Sequence, residues 1–160
     1  MNKVVAFTGH RPDKLPGGWE SNHAEICMKI TKLLVNEKIS HVVVGGALGI
    51  DQIAMRAATY AGCYITLIEP FPGFWRKWPA ARVEEYMQLK YSIPEDYITI
   101  IYANEREEYA GWKMQQRNEM MVDRATEVWA YWNGSKGGTA NCIKYAKSQG
   151  KPVRNLCEEQ

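Results

Sequence analysis

The sequence lacks any long apolar run, and it lacks a positively charged start followed by an apolar stretch of signal-peptide length. These absences argue against membrane spanning and secretion, so a cytoplasmic protein with no membrane partner is expected. It also lacks a charge imbalance. Lys and Arg number 20 against 18 Asp and Glu, a formal net charge of +2, too little to argue for nucleic acid by bulk electrostatics. Four cysteines, Cys27, Cys63, Cys142 and Cys157, include no Cys-x-x-Cys pair. They read as reduced, mostly buried thiols and not as a disulfide frame or zinc site. His10, His23 and His41 show no ligand spacing, so no metal is expected. Repeats, low-complexity segments and linkers are missing too. What is present is 160 residues, 46% hydrophobic and 24% charged, which fits one globular domain over 1–160.

Two glycine-rich turns stand out. The apolar run Glu127–Trp132 leads into Asn133-Gly134-Ser135-Lys136-Gly137-Gly138-Thr139, and a helical pattern over 140–147 leads out. Strand, glycine turn and helix point backbone N–H groups at an anion. Glycine lets a phosphate come close, Thr139 can cap the helix or bond a ligand, and Lys136 adds a positive charge. Val42-Val43-Val44-Gly45-Gly46-Ala47-Leu48-Gly49-Ile50-Asp51 repeats this grammar. Its helix carries Ile50, Ile53, Ala54, Ala57, Ala58 and Ala61 on one face. On one parallel sheet the two turns would lie at the same carboxyl edge, where ligands bind. Neither turn follows Gly-x-Gly-x-x-Gly or Gly-x-x-x-x-Gly-Lys-Ser/Thr, which disfavours a standard dinucleotide fold and a P-loop NTPase.

In chain order, Lys3–Phe7 reads as a first strand ending in the polar turn Thr8-Gly9-His10-Arg11-Pro12. Pro12, Pro16, Gly17 and Gly18 extend it as a loop, and Asn22 with Glu25 resembles a capping box. Strands follow at His41–Val44, Cys63–Ile68, Tyr97–Tyr102 and around Val128, with a short closing edge strand at Lys151–Arg154. Helices are expected at 80–89 and 113–124, with a charged loop over 103–111. Alternating strands and helices predict an open parallel α/β sheet.

Several side chains admit two readings. Asn118 falls in the middle of the apolar face of its helix with Arg117 at the edge; either Asn118 ties down a neighbouring loop, or Arg117 and Asn118 reach the ligand edge of the sheet. Arg11 can take a phosphate bidentately or pair with Glu105, Glu107 or Glu108. Asp51 either favours its helix dipole or bonds ribose hydroxyls. Phe74, Trp75 and Trp78, interleaved with Arg76 and Lys77, either stack a base or pack on their own domain or a partner.

Thr8-Gly9-His10-Arg11-Pro12, Gly45-Gly46-Ala47-Leu48-Gly49-Ile50-Asp51, Arg117-Asn118 with Met121-Val122-Asp123, and Gly137-Gly138-Thr139 occur in this order. Together they resemble the YpsA-like family of the SLOG superfamily, which also includes the LOG phosphoribohydrolases and the DNA-processing protein DprA. The resemblance implies a single-domain, Rossmann-like, mainly parallel sheet flanked by helices. It also implies a pocket for nucleotides or ADP-ribose-type ligands, with no cofactor required, and a homo-oligomer. The ligand residues it suggests are Thr8, Gly9, Arg11, Gly45, Gly46, Gly49, Asp51, Arg117, Asn118 and the run Gly134 to Thr139. LOG enzymes carry Pro-Gly-Gly-x-Gly-Thr-x-x-Glu, and here Cys142 stands at the glutamate position. A thiol is a poor substitute for a carboxylate that stabilises an oxocarbenium ion. The expected function is therefore a nucleotide-ligand sensor, sequestering or regulatory protein. The alternatives are an N-glycosidic hydrolase using Asp51 or Glu119, and a single-stranded nucleic-acid-binding protein.

Overall fold

The computed structural model describes residues 2–11 and 19–158. The chain alternates strands β1 (Val4–Gly9), β2 (His41–Val44), β3 (Tyr64–Glu69), β4 (Ile98–Tyr102), β5 (Glu127–Tyr131) and β6 (Val153–Asn155) with helices. The helices are α1 (Trp19–Asn36), α2 (Ile50–Ala61), α3 (Ala80–Ser92), α4 (Gly111–Arg124) and α5 (Gly138–Ser148). The six strands form one sheet in the order β4-β3-β2-β1-β5-β6. The expectation of a mainly parallel sheet understates it, because every pairing is parallel.

Both faces of the sheet are covered, so its central strands are apolar at successive positions. Val5, Phe7, Val42, Val44, Ile65, Leu67 and Trp129 face α1, α2 and α3. Ala6, Val43, Ile68 and Val128 face α4 and α5, where Met121, Val122, Cys142 and Ala146 meet them. Phe7 and Trp129, neighbours across β1 and β5, pack edge to face with ring centroids 5.6 Å apart.

Several expected boundaries move. The first strand runs on to Gly9, because Thr8 and Gly9 pair with Ala130 and Tyr131. The third starts at Tyr64 and takes in Glu69. The fourth starts at Ile98, after a 3-10 turn over Glu95–Tyr97. The last strand is Val153–Asn155. Helix α3 extends to Ser92 and α4 begins at Gly111. Asn22 and Glu25 lie inside α1 and do not cap it. The loop expected at Pro12, Pro16, Gly17 and Gly18 lies outside the described residues.

The strand order creates the crevice. The chain steps outward from β1 to β4 and then returns through α4 to place β5 on the other side of β1. From β1 it leads to α1 on one face, and from β5 to α5 on the other. Such a reversal opens a gap at the carboxyl edge of the sheet.

Candidate functional site

A cleft of about 280 Å³ occupies that gap. The end of β1 contributes Thr8, Gly9, His10 and Arg11, and the β2 turn contributes Ala47, Leu48 and Asp51. Met114, Arg117 and Asn118 come from α4, and Ser135 to Thr139 come from the β5 turn and the start of α5. Phe74 and Trp78 close the far wall as an edge-to-face pair with centroids 5.3 Å apart. Trp75 is not in the lining; it packs against the core on the α1–α3 side. Gly134 is exposed and also outside the lining.

Arg117 is the most constrained of these groups. It is 5% exposed, the reverse of its expected place at the edge of the apolar face, and Asn118 is only half-buried. Its Nη1 donates to the Gly45 carbonyl, and its Nε donates to Asn118 Oδ1 at 2.8 Å. Among the described residues none accepts from Nη2. Burial lowers its pKa, and the Asp51 charge opposes that shift. A buried guanidinium with an unmatched donor favours an anion at the cleft.

The two glycine turns are built differently. In the β2 turn the space a Cβ would need is already filled. At Gly45 it is taken by the Arg117 guanidinium, at Gly46 by the Tyr86 hydroxyl 2.5 Å away, and at Gly49 by the His10 carbonyl. These glycines are needed for packing, and none of them lines the cleft. Behind the turn the Tyr86 hydroxyl donates to Glu69 Oε2 at 2.6 Å, and Lys90 Nζ donates to the same carboxylate at 3.2 Å. Burial and the Glu69 charge push the Tyr86 phenol well above its ordinary value. Sequence reading passed over this buried triad, because nothing in the spacing of 69, 86 and 90 announces a long-range contact.

The β5 turn is open. A Cβ on Gly137 or Gly138 would meet nothing within 4 Å. Gly137 is the N-cap of α5 and no described side chain caps the helix, so Thr139 sits in the first turn and not at the cap. None of the N–H groups from Lys136 to Ala140 has an acceptor among the described residues. The buried Ser135 Oγ has no partner there either.

His10 holds the two turns together, a role missed because it stands in the sequence as one polar residue among several. Its Nε2 accepts from the Asn133 N–H at 2.9 Å, and its carbonyl accepts from the Ile50 N–H at 3.3 Å. Arg11 is exposed at the mouth, and the Glu107 offered to it pairs with Arg76 at 3.3 Å instead. Ala47, Leu48 and Met114 also line the cleft, and as apolar residues they carried no chemical signal.

Two carboxylates were candidates for hydrolysis. Asp51 lines the cleft and is 7% exposed. Its Oδ2 accepts from the Ala47 N–H at 3.1 Å, and the Gly45 N–H lies near enough to favour its charged form. Burial raises its pKa despite Arg117, these N–H groups and Arg11. Glu119 is not among the lining residues and accepts from Gln115 at 3.1 Å. Cys142 is 1% exposed in the core behind Thr8, and burial pushes its thiol up to about 11. All four cysteines are free thiols. No helix among the described residues is long and apolar enough to cross a membrane.

The model of the YpsA family, described as the YspA SLOG family, matches residues 5–155. An uncharacterised SPbeta prophage-derived protein of Bacillus subtilis, YoqJ, is 28% identical over 130 residues, covering 74% of this chain and 75% of its own. Among solved structures, DNA processing protein A from Helicobacter pylori superposes with a TM-score of 0.68 at 20% identity. That match covers 94% of this chain, which spans only 63% of the DNA-processing protein. A molybdenum cofactor carrier protein from Chlamydomonas reinhardtii superposes with a TM-score of 0.58 at 16% identity, covering 96% of this chain and 75% of its own. At these identities the two structures show the shared fold.

Proposed function

The chain belongs to the YpsA family of SLOG proteins, and from that premise we propose that its cleft binds a nucleotide-derived, phosphorylated small molecule. The observation that carries this reading is the uncapped N-terminus of α5 beside the buried Arg117, whose Nη2 no described residue engages. A phosphate there would accept from the N–H groups of Gly138 and Thr139 and from the guanidinium, with Lys136 as a mobile counter-charge. Ser135 Oγ would gain a partner. Asp51, Met114 and the Phe74–Trp78 pair would face the remainder of the ligand. The site needs no resident cofactor to do this.

Binding is favoured over N-glycosidic hydrolysis. Asp51 is the only carboxylate among the described lining residues, and it is held by the Ala47 N–H of its own turn. A general acid or nucleophile must instead reach the anomeric carbon. Single-stranded nucleic acid binding, named for the Helicobacter pylori protein, is a second reading. Against it stand the net charge of +2 and the burial of Phe74 among Phe71, Trp78 and Tyr86.

The test is mass spectrometry of small molecules released from purified, heat-denatured protein, with Gly138→Val prepared alongside. The expected result is a phosphorylated nucleotide-type compound from the wild type that is missing from the variant. Equal amounts from both would remove the β5 turn from this account.

A further inference from the structure

Two glycine turns flank the cleft, and a ligand with two phosphates could in principle use both. We propose that Asp51 fills the anion position of the β2 turn with its own carboxyl group and so restricts the cleft to ligands that bear one phosphate. This inference rests on the proposed ligand-binding role of the cleft and narrows it.

The β2 turn is already occupied from within the chain. A strand-glycine-helix turn offers converging N–H dipoles to an anion. In the β2 turn the Ala47 N–H donates to Asp51 Oδ2 at 3.1 Å. The Ile50 N–H is taken by the His10 carbonyl. Arg117 fills the space over Gly45, and the Tyr86 hydroxyl fills that over Gly46. A phosphate arriving there would displace a buried carboxyl group and meet its charge at close range. Among the described residues the β5 turn has no such internal anion.

Size points the same way. A cleft of about 280 Å³ falls just below the roughly 300–1,000 Å³ range of small-molecule sites. One phosphate at α5 leaves the Asp51, Met114 and Trp78 side for a single nucleoside-sized group.

The experiment compares adenosine, AMP and ADP-ribose by calorimetric titration of the wild type, Asp51→Asn and Asp51→Ala. The wild type should bind AMP at least about tenfold more tightly than adenosine, as expected for a charge-assisted phosphate contact. ADP-ribose should bind it no more tightly than AMP. Asp51→Ala removes the internal anion and frees the Ala47 N–H of the β2 turn, so the affinity of ADP-ribose relative to AMP should rise by about tenfold or more. The ratio is read because loss of Asp51 also exposes the positive charge of Arg117 and Arg11 to any anion. Asp51→Asn keeps the shape and removes the charge; it should shift the ratio in the same direction, and it decides the matter if Asp51→Ala does not fold. ADP-ribose binding the wild type more than about threefold more tightly than AMP would overturn the one-phosphate restriction while leaving the ligand-binding role standing. So would a ratio unchanged in the folded variants. Adenosine matching AMP, or no binding by any of the three, would overturn both.

Discussion

Arg117 and Asp51 set the chemistry of the cleft because each is charged and nearly inaccessible. Burying an unpaired charge is costly unless hydrogen bonds compensate. Arg117 has two such bonds and Asp51 has one, from the Ala47 N–H of its turn. The Asp51 carboxyl is nevertheless raised above 3.8, with burial as the largest cause. A raised folded-state value means that its contribution to stability is fully present below 3.8 and is lost as pH rises through the folded value. Asp51→Asn should therefore gain stability relative to the wild type as pH rises from below 3.8, read as melting temperatures across a pH series. A gap that stays constant or moves the other way would show that Asp51 is not a desolvated acid. Cys142 offers a second check. Its thiol, raised to about 11 and enclosed behind Thr8, should resist alkylation at pH 8 until the protein unfolds. Cys157, half-buried near the carboxyl end, should label first, as followed by peptide mass spectrometry. Equal labelling rates would contradict the packing described for α5.

At the scale of elements, the two glycine turns look alike in sequence and differ in use. Gly46 has φ of 77° and the Tyr86 hydroxyl 2.5 Å from where a Cβ would stand. Gly46→Ala should cost about 1–3 kcal/mol by denaturant titration, from strain and displacement of the Tyr86–Glu69 bond. Gly138 has open space around it, so Gly138→Val should leave the denaturation midpoint nearly unchanged. If both variants lost stability equally, the distinction between a packed turn and an open one would fail. This difference was not legible in the sequence. The β-branched run Val42–Val44 and the apolar spacing of α2 disclosed strand, turn and helix, because those patterns are local. What fills the space over Gly45 and Gly46 comes from Arg117 and Tyr86, more than 35 residues away, and local periodicity holds no record of such contacts. For the same reason Arg117 was placed at the edge of a helix face when tertiary packing buries it and leaves Asn118 half-buried.

At the scale of the whole molecule, the strand order makes the site. Because β5 returns beside β1, Thr8 to Arg11, Ser135 to Thr139, the β2 turn and α4 meet at one edge. The alternation of strands and helices made the parallel sheet legible, but the position of β5 depends on long-range pairing such as Ala6 with Val128. The central claim is that the open turn at the start of α5 holds a phosphate. Calorimetric titration of AMP into the wild type and Gly138→Val tests this most directly. The account predicts saturable one-to-one binding to the wild type, and a loss of at least about a hundredfold, near 3 kcal/mol, in a Gly138→Val protein with an unchanged melting temperature. Equal affinity in the two folded proteins, or no binding to the wild type, would contradict it.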